Sequence, residues 1–143
     1  MRLTKHTDYA FRVLIYLASM PEDRLSTVQE IAERFGVSRS HVMKIVQKLA
    51  GAGLIQASRG QHGGIRLGKP KHSINLRQVI ELMEATLAPV NCEDPVCIIL
   101  QGCALKTILF EAQHAFLQHV ERYTLADLAE PAVSIVHFLK RDN

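Results

Sequence analysis

Cys92, Cys97 and Cys103 are the only cysteines of the chain, and they fall in one stretch spaced Cys-x4-Cys-x5-Cys. Thiolates are soft donors that suit zinc and iron–sulfur clusters, so this crowding makes a candidate soft-metal site. Pro89, Pro95 and Gly102 interrupt any helical or strand period across the stretch, which predicts a loop able to wrap an ion or a cluster. Structural zinc favours four closed ligands built from tightly spaced Cys pairs, and only one gap here approaches that spacing. Cluster loops tolerate wider gaps. Iron is therefore the expectation, as a 4Fe-4S cluster or the smaller 2Fe-2S. The thiolates run out at three, so a four-iron cluster would leave one iron to a weaker, non-thiolate ligand and open to a small reactive molecule. Two readings compete: three small buried hydrophobes, because free cysteine is often buried, and a disulfide framework, which leaves an odd thiol and lacks a secretory signal. A reducing cytoplasm is expected.

The remaining residues must position that loop. With 143 residues, 16.0 kDa and 48% hydrophobic residues, the chain can bury a core as one domain or one small domain with an appendage. No apolar run approaches the roughly 18 residues of a membrane span, so no membrane partner is expected. The net charge of +3 divides unevenly: residues 1–72 hold 12 Lys+Arg against 5 Asp+Glu, and residues 73–143 hold 5 against 9. A basic half joined to an acidic half predicts that only the first meets a polyanion.

Within the basic half, Tyr9, Val13, Leu14, Tyr16 and Leu17 recur at helical spacing between Thr4 and Met20, and Pro21 closes the segment. Ser26 or Thr27 caps a second helix, with Val28, Ile31, Ala32 and Phe35 on its inner face and Gly36 at its end. Ser38 caps a third, with Val42, Ile45, Val46 and Leu49 inside. Helix, glycine turn, helix is a helix-turn-helix signature. Its outer face carries Arg39, Ser40, Met43, Lys44, Gln47 and Lys48. Residues at the start of such a helix point into the major groove, so Ser38, Arg39, Ser40, His41 and Lys44 are the candidate DNA readers. Residues 54–59 and 64–67 then read as short strands around a glycine-rich tip flanked by Arg59 and Arg66, a wing whose cations can reach the minor groove or phosphate. A phosphate-cradling loop is disfavoured, because no strand, Gly loop, helix order and no Gly-Lys-Ser/Thr is present.

In the acidic half, a helix from Ser73 or Asn75 to Glu84 leads to the cysteine loop. From Ala104 to about Val120 a stripe of Leu105, Ile108, Leu109, Ala112, Phe116 and Val120 requires a partner surface. A homodimer through this helix, on a two-fold operator, is the economical solution, with an intrachain core helix as the alternative. Thr124 caps a last helix with Asp127 three residues on, continuing through Leu128, Val133 and Val136 to Leu139. The expected fold is mainly α with a small β-hairpin: a winged helix-turn-helix DNA-binding domain over 1–72, then the cysteine loop and dimerisation helices over 73–143.

The chain resembles the iron–sulfur winged-helix transcription regulators, most closely their nitric-oxide-sensing repressor branch. The residues that carry the resemblance are Leu3-Thr4 with Thr7-Asp8-Tyr9, Val37-Ser38-Arg39, Arg59-Gly60 with Gly63-Gly64-Ile65-Arg66-Leu67, Val90-Asn91-Cys92 with the cysteine spacing, and Tyr123 to Leu128. The resemblance implies a homodimer with one cluster per subunit on Cys92, Cys97 and Cys103, the fourth ligand being Asp8 of the partner subunit. Arg12, one turn from Asp8, could hold that carboxylate. A surface ion pair between the two is the plainer reading of these residues. Relatives that govern cluster assembly are expected to carry a histidine three residues after the third cysteine, where this chain has Lys106; the nitric-oxide branch is preferred. The implied function is a repressor that binds operator DNA and releases nitric oxide detoxification genes when nitric oxide attacks the cluster. Alternatives are a winged-helix regulator with structural zinc, or with a cluster that reads iron or oxidative state. A thiol enzyme using His114 or His119 is disfavoured, since nothing pairs a particular Cys with either; no enzymatic activity is expected.

Overall fold

A computed structural model describes residues 2–130. Thr4 begins the first helix, α1 (Lys5–Ala18), by accepting a hydrogen bond from the Thr7 amide; Ser19 ends it, its hydroxyl donating to the Ile15 carbonyl. Thr27 and Glu30 form a reciprocal capping box on α2 (Val28–Phe35), which stops at Gly36 with φ +61°, a conformation that only glycine adopts at no steric cost. Ser38 caps α3 (Arg39–Gly51) through the His41 amide. Strands β1 (Ile55–Ser58) and β2 (Gly64–Leu67) pair antiparallel with Gln56 opposite Arg66. A single 3-10 turn (Lys71–Ser73) precedes α4 (Leu76–Met83), capped by Asn75, and α5 (Ala104–Val120) follows the cysteine loop.

This mostly helical order with one two-stranded hairpin is the expected winged-helix fold. Ser26 adds something the sequence did not announce: it exchanges two main-chain hydrogen bonds with Ile65, at 2.9 and 2.7 Å, and so extends the wing sheet by one residue. The inner faces of α1, α2 and α3 meet through Leu14, Ile31, Ile45 and Leu49, and Leu54, Ile55 and Ile65 roof them from the wing. Each fully buried side chain of this size contributes about 1.5–3 kcal/mol of transfer free energy. The same cluster includes Ile74, Val79 and Met83 of the α4 region and Leu125 beyond α5, so it runs across residue 72.

The chain returns to α4 after α5. Leu125 donates to the Ile74 carbonyl and Leu76 to the Tyr123 carbonyl, at 2.8 and 3.1 Å, and Asn75 Nδ2 donates to the Glu121 carbonyl. Arg77 grips Glu81 and Glu121, and these two carboxylates raise its pKa above the ordinary value. Residues 125–130 begin a helix whose first turn is closed by the Asp127 carboxylate accepting from the Thr124 amide and hydroxyl. Val133, Val136 and Leu139 lie outside the described residues.

Candidate functional site

The cysteine loop has an order of its own. Asn91 Oδ1 accepts from the Glu93 and Asp94 amides, its Nδ2 donates to the Asp94 carbonyl, and the Cys97 amide donates to the Cys92 carbonyl at 3.0 Å. Cys92 and Cys97 thus close one tight turn, and Leu100 bonded back to Cys97 makes a second. Gly102, at φ +88°, lets the chain swing so that Cys103 becomes the residue before α5. All three thiols are free and half-buried. Cys92 also borders an open cavity of about 320 Å³ with Thr86, Val90, Lys106 and Phe110. The Lys106 ammonium lies 6.0 Å from the Phe110 ring centre, a separation at which a cation is attracted to the ring face.

By its chemistry this donor set fits an iron–sulfur cluster: three sulfurs on one preordered loop, none committed to a disulfide. Among the described residues no three His, Cys, Asp or Glu side chains converge on one point. A closed ligand set is therefore not made by the described residues of one chain in this conformation. Asp8 stands exposed on α1, where its two oxygens accept from Arg12 Nε and Nη2 at 3.1 and 3.0 Å. Exposed pairs of this kind are worth about 0.2–1 kcal/mol, so the carboxylate is cheaply released to another partner.

The sequence-predicted readers on α3 are all exposed: Ser38, Arg39, Ser40, His41 and Lys44. Ser40 and Lys44 lie opposite the buried face of Val42, Ile45, Val46 and Leu49, whereas Ser38, Arg39 and His41 are open because they stand at the start of the helix. The Ser38 hydroxyl is already engaged as the helix cap and lies 3.3 Å from Ser40 Oγ. Arg59 is exposed where β1 enters the tip. Arg66 does not flank the tip in the same way: it sits within β2, half-buried, with Nε donating to its cross-strand neighbour Gln56 at 3.1 Å. The side-chain alternation of a strand explains this, since a residue two places inside the ladder projects from the sheet face and not from the turn.

Helix α5 is anchored at one end. Leu117 is buried at 7% exposure, whereas Leu105 and Ile108, near Cys103, are exposed at 61% and 59%. The 17-residue helix is about 25 Å long, and toward its cysteine end the apolar stripe is open at Leu105 and Ile108 while Leu109 is half-buried. Val96, Ile98 and Ile99 of the cysteine loop are exposed as well. The sequence reading missed one residue, Glu84. Its carboxylate oxygen receives the Thr4 amide, the Thr4 hydroxyl and the Thr7 hydroxyl. Burial pushes this carboxyl's pKa up, but those hydrogen bonds and the charge of Lys48 bring it net below the ordinary value. Nothing in the spacing of residues eighty positions apart could have signalled the contact.

Comparison with solved structures returns the same fold. CymR of S. aureus matches with a TM-score of 0.74 at 27% identity, over 89% of this chain and 97% of that one. The global cysteine regulator CymR of B. subtilis matches with a TM-score of 0.76 at 23% identity, over 91% and 97%. IscR of T. potens matches with a TM-score of 0.76 at 20% identity, over 92% and 88%; at such identity the last two speak for fold alone. No helix among the described residues is long and apolar enough to cross a membrane. The profile of the Rrf2 family, described as iron-dependent transcriptional regulators, matches residues 3–131, and the chain belongs to that family.

Proposed function

We propose that this Rrf2-family regulator is a cytoplasmic homodimeric DNA-binding repressor of the NsrR type. In this reading an iron–sulfur cluster, 4Fe-4S in preference to 2Fe-2S, sets operator affinity, and nitric oxide releases the promoters of nitric oxide detoxification genes. The observation that carries the reading is the position of the three free thiols, on the loop that joins α4, packed in the helix-turn-helix core, to the exposed end of α5. Cys92, Cys97 and Cys103 would hold the cluster to one subunit and Asp8 of the partner subunit would hold it to the other. When bound, the cluster supplies an iron open to a small diatomic ligand. Arg12 keeps the Asp8 carboxylate oriented by two hydrogen bonds until it is claimed.

The exposed stripe of α5 supports self-association, since a two-fold dimer covers the same face on both copies and sets two recognition helices on a palindromic site. Arg39, Ser40, His41 and Lys44 would then read base edges, Ser38 would fix the start of the helix, and Arg59 would reach the backbone or minor groove from the wing tip. Arg66, tied to Gln56, would steady the wing and add positive field. The test is a gel shift on the DNA upstream of the gene, using protein purified without oxygen and assayed for iron, sulfide and visible absorbance. The expected result is a coloured, iron- and sulfide-bearing dimer that shifts DNA and lets go on addition of nitric oxide. A colourless zinc-loaded dimer, or equal binding with and without nitric oxide, would refute the proposal.

One observation favours a second reading. The family's description as iron-dependent makes iron supply or oxidative state an alternative signal for the same cysteines. Release by iron chelation or air, with no response to nitric oxide, would decide for it.

A further inference from the structure

Glu84 closes α4 and takes no part in ligation or base reading, yet it is where three elements meet. Its Oε1 accepts from the Thr4 amide at 2.8 Å, the Thr4 hydroxyl at 3.0 Å and the Thr7 hydroxyl at 2.5 Å. Thr7 is fully buried, so its hydroxyl has no water to turn to if the carboxylate leaves. One residue earlier, the Met83 carbonyl accepts from Lys48 Nζ of α3 at 3.4 Å. The end of α4 is thereby bonded to the first turn of α1, the turn that carries Asp8, and to the C-terminal part of the recognition helix. Beyond Glu84 no helix or strand intervenes before α5, and Thr86, Ala88 and Val90 share one cavity wall with Cys92.

We propose that Glu84 is a positioning residue that transmits the conformation of the cysteine loop to the recognition helix. Apolar contacts among α1, α3 and α4 are non-directional and permit small slides, whereas hydrogen bonds to a charged oxygen are strong and geometrically specific. A loop that tightens or relaxes around its thiols displaces residue 84; Thr4 and Thr7 pass that displacement to α1, and Lys48 passes it to α3. The inference rests on the function proposed above, because it presupposes that loop state and DNA affinity are linked.

The experiment compares operator affinity of the full-length dimer, cluster-loaded and cluster-stripped, in wild type, Glu84→Ala, Glu84→Gln and Thr7→Val. In Glu84→Ala the loaded-to-stripped affinity ratio is expected to shrink by about tenfold, within the range typical of site-to-site coupling, while iron and sulfide per chain stay unchanged. Glu84→Gln retains an oxygen acceptor and is expected to restore most of the ratio. If Glu84→Ala lowers the melting temperature but keeps the wild-type ratio, Glu84 is merely structural and the proposal falls. Thr7→Val keeps the volume and removes one donor, so it serves where Glu84→Ala does not fold; a wild-type ratio there also overturns the proposal. A wild-type ratio of one is a different failure, since it removes the sensing function itself and this coupling with it.

Discussion

The wing tip offers a clean separation of DNA binding from folding, through Gly63→Ala. A Cβ at Gly63 would lie 2.4 Å from the Ser58 carbonyl oxygen, 2.9 Å from the Arg59 carbonyl carbon and 3.0 Å from the Gly60 carbonyl oxygen. All three are backbone atoms and cannot rotate aside, while ordinary contact begins at 3.4 Å, so the tip must open by roughly 1 Å. Overpacking of this kind costs about 1–3 kcal/mol in a closed core. Here it is relieved outward, because Arg59, Gly60, Gln61 and His62 are exposed and the buried Ile55 and Ile65 stand further down the hairpin. The expected stability change is thus at or below the lower end, about 1 kcal/mol. In the reading proposed above Arg59 meets DNA from this tip, so opening the tip alters that approach. Loss of one phosphate contact should weaken binding uniformly across sequences and reduce the salt slope by about one. Fluorescence anisotropy on operator DNA across a salt series, beside a thermal melt, measures both. Unchanged affinity and salt slope would show that the wing tip is not a DNA element. A melt as depressed as that of a core truncation would show that the tip is not independent of the fold.

Three further predictions follow from named contacts. Thr27→Ala removes the acceptor for the Glu30 amide in the α2 capping box and should cost about 0.5–2 kcal/mol in urea unfolding, without altering metal content. Tyr16, buried and hydrogen-bonded to Glu30, has its pKa pushed from 10.0 up to about 12, first by burial and then by that carboxylate. The folded state binds the proton more tightly than the unfolded one, so this stabilisation is complete below pH 10.0 and is lost as pH rises toward about 12; Tyr16→Phe should flatten the alkaline fall in melting temperature. Ile108→Asp places a charge on the open stripe of α5, and light scattering should show the dimer replaced by monomer with a near-native melt, since Ile108 is 59% exposed in the single chain. A dimer that persists would move the interface elsewhere.

Local chemistry made much of the fold legible in advance. Thr27 and Ser38 are caps because a short side-chain oxygen satisfies the free amides of a first turn, and that requires only neighbours in sequence. The apolar spacing of α3 separates its buried residues from its exposed ones, and Gly36 at φ +61° marks the turn before it. The grouping of the three cysteines is likewise a property of the chain, since residues this close cannot be far apart in space.

Other features depend on which elements dock, and docking is set by long-range packing that no local spacing encodes. Only the folded chain joins Glu84 to Thr4 and Thr7, adds Ser26 to the wing sheet, and turns Arg66 toward Gln56 in place of the tip. The exposure of α5 at its cysteine end is of the same kind: the stripe is written in the sequence, but only the tertiary structure leaves Leu105 and Ile108 uncovered while burying Leu117. Short-range hydrogen bonds and side-chain periodicity therefore determined the helices, the hairpin and the donor set, while the packing of residues far apart in the chain decided which of those groups touch.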